Sequence, residues 1–317
     1  MPTRRTLTLA LAMALALAFA PPGPPLAAQS RTRVDRALQR EIEQLVAGFH
    51  GRVGIYVRNL RTNRVAALNA DSVFPTASMI KLPILVATYD AIERGALRLT
   101  DTLVYRDSLL YPGTDILGMA RDSARIELSK VVMLMITMSD NTAALWLQQL
   151  AGTGTAVNAW LAAHGFDSTR VNSRTPGRAG NWAVYGWGQT TPREIARLLI
   201  MIREGKAVGT AASQEMYRVL TRSYWNGEAL SQIPPWVQAA SKQGAVDRSR
   251  SEVVLVNAPS GDYVFSIITK DQADSTWVPH NEGWDLIRGL SALLWRHFEP
   301  KRPWHPAERA DLLKPVE

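Results

Sequence analysis

Ser78 and Lys81, three residues apart, are the pair whose chemistry stands out first in the sequence. On a helix this spacing puts hydroxyl and amine on one side, one turn apart. A lysine so placed can take the serine proton and make the oxygen a nucleophile. At the start of a helix the serine amide can also face a developing oxyanion. The residues from Leu82 to Ile92 are apolar enough for a buried helix, and Gly95 closes it. Pro83 removes one helix bond, so the Met79 carbonyl is expected to be unpaired and the first turn tight or bent. Ser-x-x-Lys alone is common by chance and carries little weight without company. Two further groups supply it: Ser139-Asp140-Asn141, and Lys242-Gln243-Gly244. Alone, the first reads as a helix cap and Lys242 as a solvated strand residue.

The elements that must position these groups follow from periodicity. Val34, Leu38, Ile42, Leu45 and Val46 form one apolar stripe and predict an opening helix. Two strands follow, Val53 to Asn59 and Arg64 to Leu68, joined as a hairpin. After the Ser78 helix comes a stretch to Ala124 that reads mostly as loop. Val131, Val132, Leu134, Met135 and Met138 mark a central helix, and Asp140 or Asn141 can cap a further helix from Thr142 to Leu150. A short helix from Ala156 to His164 is closed by Gly165. Periodicity then vanishes from Asp167 to Thr190, which reads as a functional lid or Ω-type loop. Thr191-Pro192-Arg193-Glu194 opens a helix by capping box and first-turn proline. A helix from Ala211 to Thr221 comes next. Three strands follow: Ala239 to Gly244, Glu252 to Asn257 and Tyr263 to Thr269. Trp284, Ile287, Leu290, Leu294 and Trp295 close the chain as an amphipathic helix.

Strands at both ends can share a sheet only if the helices between them are an insertion. The fold class is therefore α+β: a five-stranded antiparallel sheet flanked by terminal helices, docked on an inserted all-helical lobe. The sheet lobe takes residues 29–76 and 208–317, and the helical lobe takes residues 77–207. A cleft where lobes meet is a preferred place for small ligands. All three groups fall on it.

Composition removes several alternatives. With no cysteine, disulfides, thiolate metal sites and cysteine nucleophiles are excluded. The histidines show no metal spacing, so neither metal nor cofactor is expected. A Ser-His-Asp hydrolase would want a Gly-x-Ser-x-Gly elbow that the chain lacks. His164, beside Gly165, reads as a helix-end partner. The formal charge of +8 is spread over scattered arginines, without the basic run and aromatics of a nucleic-acid groove. It supports at most a weak pull toward anionic substrates or peripheral contact with an anionic envelope surface. Arg4-Arg5, the apolar run from Leu7 to Ala20 and the small residues Leu26-Ala27-Ala28 read as a signal peptide over residues 1–28, cleaved after Ala28. The expected location is exported, periplasmic or extracellular, by the general or the twin-arginine route. The protein is expected to be a monomer.

Ser-x-x-Lys, Ser-Asp-Asn and a Lys-x-Gly triplet in this order resemble the motif set of the class A β-lactamase-like family, within the serine β-lactamase and penicillin-binding protein superfamily. The similarity extends beyond the motifs to Phe74-Pro75-Thr76-Ala77 before Ser78, to Leu134 through Ala143, and to the Thr190-Thr191-Pro192-Arg193 helix start. It runs from about Arg33 to Phe298. The resemblance implies the β-lactamase/transpeptidase-like fold. It makes Ser78 the acylated nucleophile, Lys81 its proton acceptor or relay, and Ser139 the group that passes a proton to the leaving nitrogen. Lys242 would position Ser139 and supply charge for the substrate carboxylate. Asn141, Gln243, Gly244 and Ala245 would bind substrate, with the amides of Ser78 and Ala245 as oxyanion hole.

Two positions depart from that pattern. Gln243 replaces a threonine, and Thr175 stands where the family places the glutamate that activates the hydrolytic water. No Asp or Glu lies between Asp167 and Glu194, and a threonine hydroxyl is too weak a base to substitute. Acylation is expected to be intact and deacylation impaired. Three readings follow: a serine hydrolase that opens β-lactams with slow or atypical turnover, a D-alanyl-D-alanine-type peptidase, or a non-catalytic sensor of peptidoglycan fragments. Trp182, Tyr185 and Trp187 could line a binding wall or pack their loop. Asp247 and Arg250 could shape the cleft edge or end a hairpin.

Overall fold

The computed structural model describes residues 32–308 and 310; the expected signal peptide lies outside them. The main sheet holds the five expected antiparallel strands. They are β2 (Arg52–Asn59), β3 (Arg64–Leu68), β4 (Ala239–Val246), β5 (Ser249–Val256) and β6 (Tyr263–Lys270). A two-residue edge strand, β1 (Arg33–Val34), adds to β3 in parallel. The spatial order is β1-β3-β2-β6-β5-β4, so the two ends of the chain meet at the β2–β6 pair. Val34, expected on the opening helix, is instead an exposed strand residue. That helix begins at Arg36 because the Asp35 carboxylate caps it by accepting from the Leu38 amide.

Both faces of the sheet are covered, and the strand period decides what each side chain meets. Val253 and Leu255 of β5 belong to the cluster shared with the inserted helices. Val254 and Val256 pack in a second cluster with Leu38, Ile42, Trp284 and Leu294 of the terminal helices. All of β5 is buried, as the consecutive apolar residues Val253 to Val256 at its end require. The terminal helices are Arg36–Val46 and Glu282–Phe298.

The helix Lys81–Glu93 is buried nearly all round, with Leu82, Ile84, Leu85 and Val86 fully inaccessible. Each such side chain contributes about 1.5–3 kcal/mol by leaving water. A 3₁₀ turn, Ala77–Ile80, leads into it, giving the tight start expected from Pro83. The Met79 carbonyl is not left unpaired as expected, because the Lys81 amide donates to it. The central helix is Leu128–Met133, continued by a π-helical stretch, Leu134–Met138, that stops at Ser139.

The stretch from Asp167 to Thr190 has more structure than its lack of periodicity suggested. It contains the helix Ala179–Tyr185, and Gly188–Thr190 pairs with both Phe74–Pro75 and Arg170–Val171. Helix and strands this short leave no measurable period. The segment to Ala124 likewise holds a short strand, Thr102–Val104, which pairs with Arg125–Glu127 just beyond it.

Candidate active site

Register fixes Lys242 first. Its cross-strand partner is Val253, whose side chain faces the inserted helices, so Lys242 faces them too. Its Nζ lies 3.0 Å from Ser139 Oγ and donates to the Gln243 carbonyl at 2.8 Å. Gln243, one residue on, has the opposite parity and pairs with Glu252. Its amide nitrogen donates to the Trp225 carbonyl at 3.1 Å and its side chain is fully buried, so that amide is spent within the protein rather than in the pocket. This corrects the expectation that the Gln243 side chain binds substrate; the cause is strand parity, which alternates the faces.

Gly244 brings strand and 3₁₀ turn together. A Cβ there would stand 2.6 Å from the Ser78 nitrogen, 2.7 Å from the Thr76 carbonyl oxygen and 3.0 Å from the Met79 nitrogen. Only glycine permits this approach of two backbones. It sets Ser78 and Ala245 on the wall of one pocket.

Lys81 is buried at the centre. Its Nζ is 3.0 Å from Ser78 Oγ, 3.1 Å from Ser139 Oγ and 2.9 Å from Asn141 Oδ1, and it also donates to the Ser139 carbonyl. Ser78, Lys81, Ser139 and Lys242 thus form a continuous chain of contacts across the junction of helices and sheet. Ser139 reaches both lysines because its backbone is left-handed, with φ at 61°. A non-glycine residue held there costs on the order of 1–3 kcal/mol, and such strain concentrates at functional sites. Ala77, just before Ser78, is left-handed as well, at φ 42°.

Asp140 holds the turn in place. Its fully buried carboxylate accepts from the amides of Ile116 at 2.7 Å, Leu117 at 2.8 Å and Ala143 at 2.7 Å. It therefore caps the helix Asn141–Leu150 and ties it to the loop carrying Leu117. The helix-cap reading and the site reading of Ser139-Asp140-Asn141 are both realised, by different residues.

The pocket over Ser78 has a volume of about 340 Å³. Tyr111, Asn141, Tyr185 and Trp187 line it together with Ala245, Val246, Arg248 and Lys270. Tyr185 and Trp187 thus take the wall position, whereas Trp182 is exposed. Tyr111 and Trp187 meet edge to face at 5.1 Å. Tyr111, Arg248 and Lys270 escaped the sequence reading; none sits in a motif, and only the fold brings them to the pocket. Arg250 is buried between Trp277 and Trp284, while Asp247 accepts from the Trp277 indole.

Thr175 turns elsewhere. Its hydroxyl donates to the Ser173 carbonyl at 2.9 Å and lies against Gly154 of the helix Thr153–Ala163. Glu194 is committed to the start of the same loop, accepting from the amides of Asp167, Ser168 and Thr169. Asp271 is the one carboxylate among the residues lining the pocket. Among the described residues no group of His, Cys, Asp and Glu is arranged to hold a metal ion, and no helix is long and apolar enough to cross a membrane.

Residues 37–298 match the beta-lactamase enzyme family. The chain belongs to that family. Beta-lactamase VEB-1 of Pseudomonas aeruginosa is 20% identical over 273 residues, 82% of this chain and 90% of the relative. The solved structure of PBP-A superposes with a TM-score of 0.76 at 27% identity, over 85% of this chain and 98% of PBP-A. A point mutant of PBP-A, solved as its acyl-enzyme complex with penicillin G, gives 0.75 at 27% identity, over 84% and 98%. The β-lactamase/transpeptidase-like fold is the one expected from the motifs. Membership supports hydrolase chemistry of the serine β-lactamase and penicillin-binding kind for this chain.

Proposed function

We propose that this chain is an exported serine hydrolase that opens β-lactams by acylation of Ser78 and releases the product slowly. The observation that carries the reading is the unbroken contact chain from Ser78 through Lys81 and Ser139 to Lys242. Ser78 Oγ attacks the lactam carbonyl while its proton passes to Lys81 Nζ. The oxyanion faces the amides of Ser78 and Ala245, each worth about 10²–10³ in rate. The C–N bond then breaks, and the nitrogen takes a proton through Ser139 from Lys81, leaving an ester on Ser78. Lys242 holds Ser139 and offers positive charge to the substrate carboxylate. Asn141 receives the acylamino group.

Hydrolysis of that ester needs a base for water. Thr175 is turned to Gly154, and Glu194 is held by backbone amides. Neither supplies one, which supports slow release. A second reading, a peptidoglycan peptide ending in D-alanine as natural acyl donor, draws on the likeness to PBP-A.

Intact mass spectrometry after mixing the mature protein with benzylpenicillin tests the proposal. The expected result is one penicillin added, persisting for minutes after excess drug is removed, and absent in Ser78→Ala. No adduct would overturn the acylation, and rapid steady turnover of a chromogenic cephalosporin would overturn the slow release.

A further inference from the structure

The pocket wall continues past the oxyanion region along the sheet. Gly244 pairs with Ser251, which pairs with Ile268, and this row faces the inserted helices. Two residues further on, the same parity gives Val246, Ser249 and Lys270, about 7 Å along the strands. All three line the pocket, together with Arg248. Lys270 Nζ sits over the ring of Tyr185 at 5.2 Å. Arg248 donates to two neutral acceptors, the carbonyls of Gln272 and Asp271. Neither cation has a salt-bridge partner among the described residues, whereas many other arginines of this chain do. Arg248, Lys270 and Asp271 are the charged residues lining the pocket, so two cations face one carboxylate there.

We infer that Lys270 and Arg248 form a subsite for an anionic group at the end of the acyl side chain. This rests on the proposed acylation of Ser78, which places the acylamino group between Asn141 and Ala245. The substituent on that amide then runs over Val246 toward Lys270, with Tyr185 and Val184 as its apolar wall. A short methylene spacer ending in a carboxylate matches the step of two strand residues. The preferred acyl donors are therefore those with a carboxylate-terminated side chain, such as an acidic amino-acid side chain extended through its own methylenes.

The test compares adipyl- and hexanoyl-6-aminopenicillanic acid, which differ by a terminal carboxylate in place of a methyl. Second-order acylation constants are read by intact mass on the full mature chain. The adipyl compound is expected to react about five- to tenfold faster at low salt, the scale of one or two partly exposed ion pairs. In 0.5 M salt, used as roughly three times physiological strength, the ratio should fall toward one. It should also fall in Lys270→Gln with Arg248→Gln, and be retained in Lys270→Arg. Equal constants for the two compounds in the wild type, with an adduct from both, would overturn the subsite and leave the function standing. A salt-insensitive ratio, or one unchanged in the double variant, would also overturn it. No adduct from either compound would overturn the acylation reading and the subsite with it.

Discussion

Substituting Gly244 by alanine tests how closely the site depends on one backbone approach. The new Cβ would lie 2.6 Å from the Ser78 nitrogen, whereas ordinary contact begins at 3.4 Å. The strand must therefore retreat by about 0.8 Å, the difference of those two values, or the 3₁₀ turn must yield. The atoms it meets are main-chain, so no side-chain rotation relieves the clash. Overpacking of this kind costs about 1–3 kcal/mol. In a domain of this size that lowers the melting temperature by about 2–10 °C. The larger effect falls on chemistry. Moving the Ala245 amide by nearly 1 Å relative to Ser78 opens the oxyanion site, and a misplacement of that size costs about 10²-fold. The assay is the second-order acylation constant with benzylpenicillin, measured beside thermal unfolding. Gly48→Ala, where a Cβ meets nothing within 4 Å, serves as the control and should change neither quantity. An acylation constant for Gly244→Ala within threefold of wild type, with unchanged melting, would refute the reasoning.

Two further outcomes follow from buried carboxylates. Asp140→Asn puts an NH₂ group where three amides now donate, so at least one buried donor loses its acceptor. Thermal unfolding should show about 1–3 kcal/mol of lost stability, with slower acylation as Ser139 and Asn141 shift. Glu228 is buried beside Arg288, and burial pushes its carboxyl up to about 8 despite that arginine. Its folded pKa is thus above the unfolded one, so the unfolded chain releases this proton first as pH rises. The group's contribution is full below about pH 4.5, shrinks through the range up to about 8, and is constant above that. Denaturant melts from pH 5 to 9 should show that decline, on the order of 1–4 kcal/mol, and Glu228→Gln should flatten it.

Much of this protein is written locally. The spacing of Ser78 and Lys81, the cap signature at Asp140, the start at Thr191-Pro192 and the apolar stripes each depend on residues within a turn or two. Local sterics and burial therefore make them legible. The insertion of helices between strands was legible as well, because strands from both ends of the chain can share one sheet only if the helices between them are looped out. The two short ladders and the helix Ala179–Tyr185 were not, since elements of two to seven residues pair with distant partners and carry no period. Register decided the rest. A one-residue parity sends Lys242 to Ser139 and Gln243 to Trp225, and the same parity two residues further carries Lys270 to the pocket. Sequence alone determined which groups could react and on which elements they sit. Only the tertiary structure decided which of them meet, because contacts between residues about 60 to 190 positions apart are set by strand pairing and packing rather than by their neighbours in the chain.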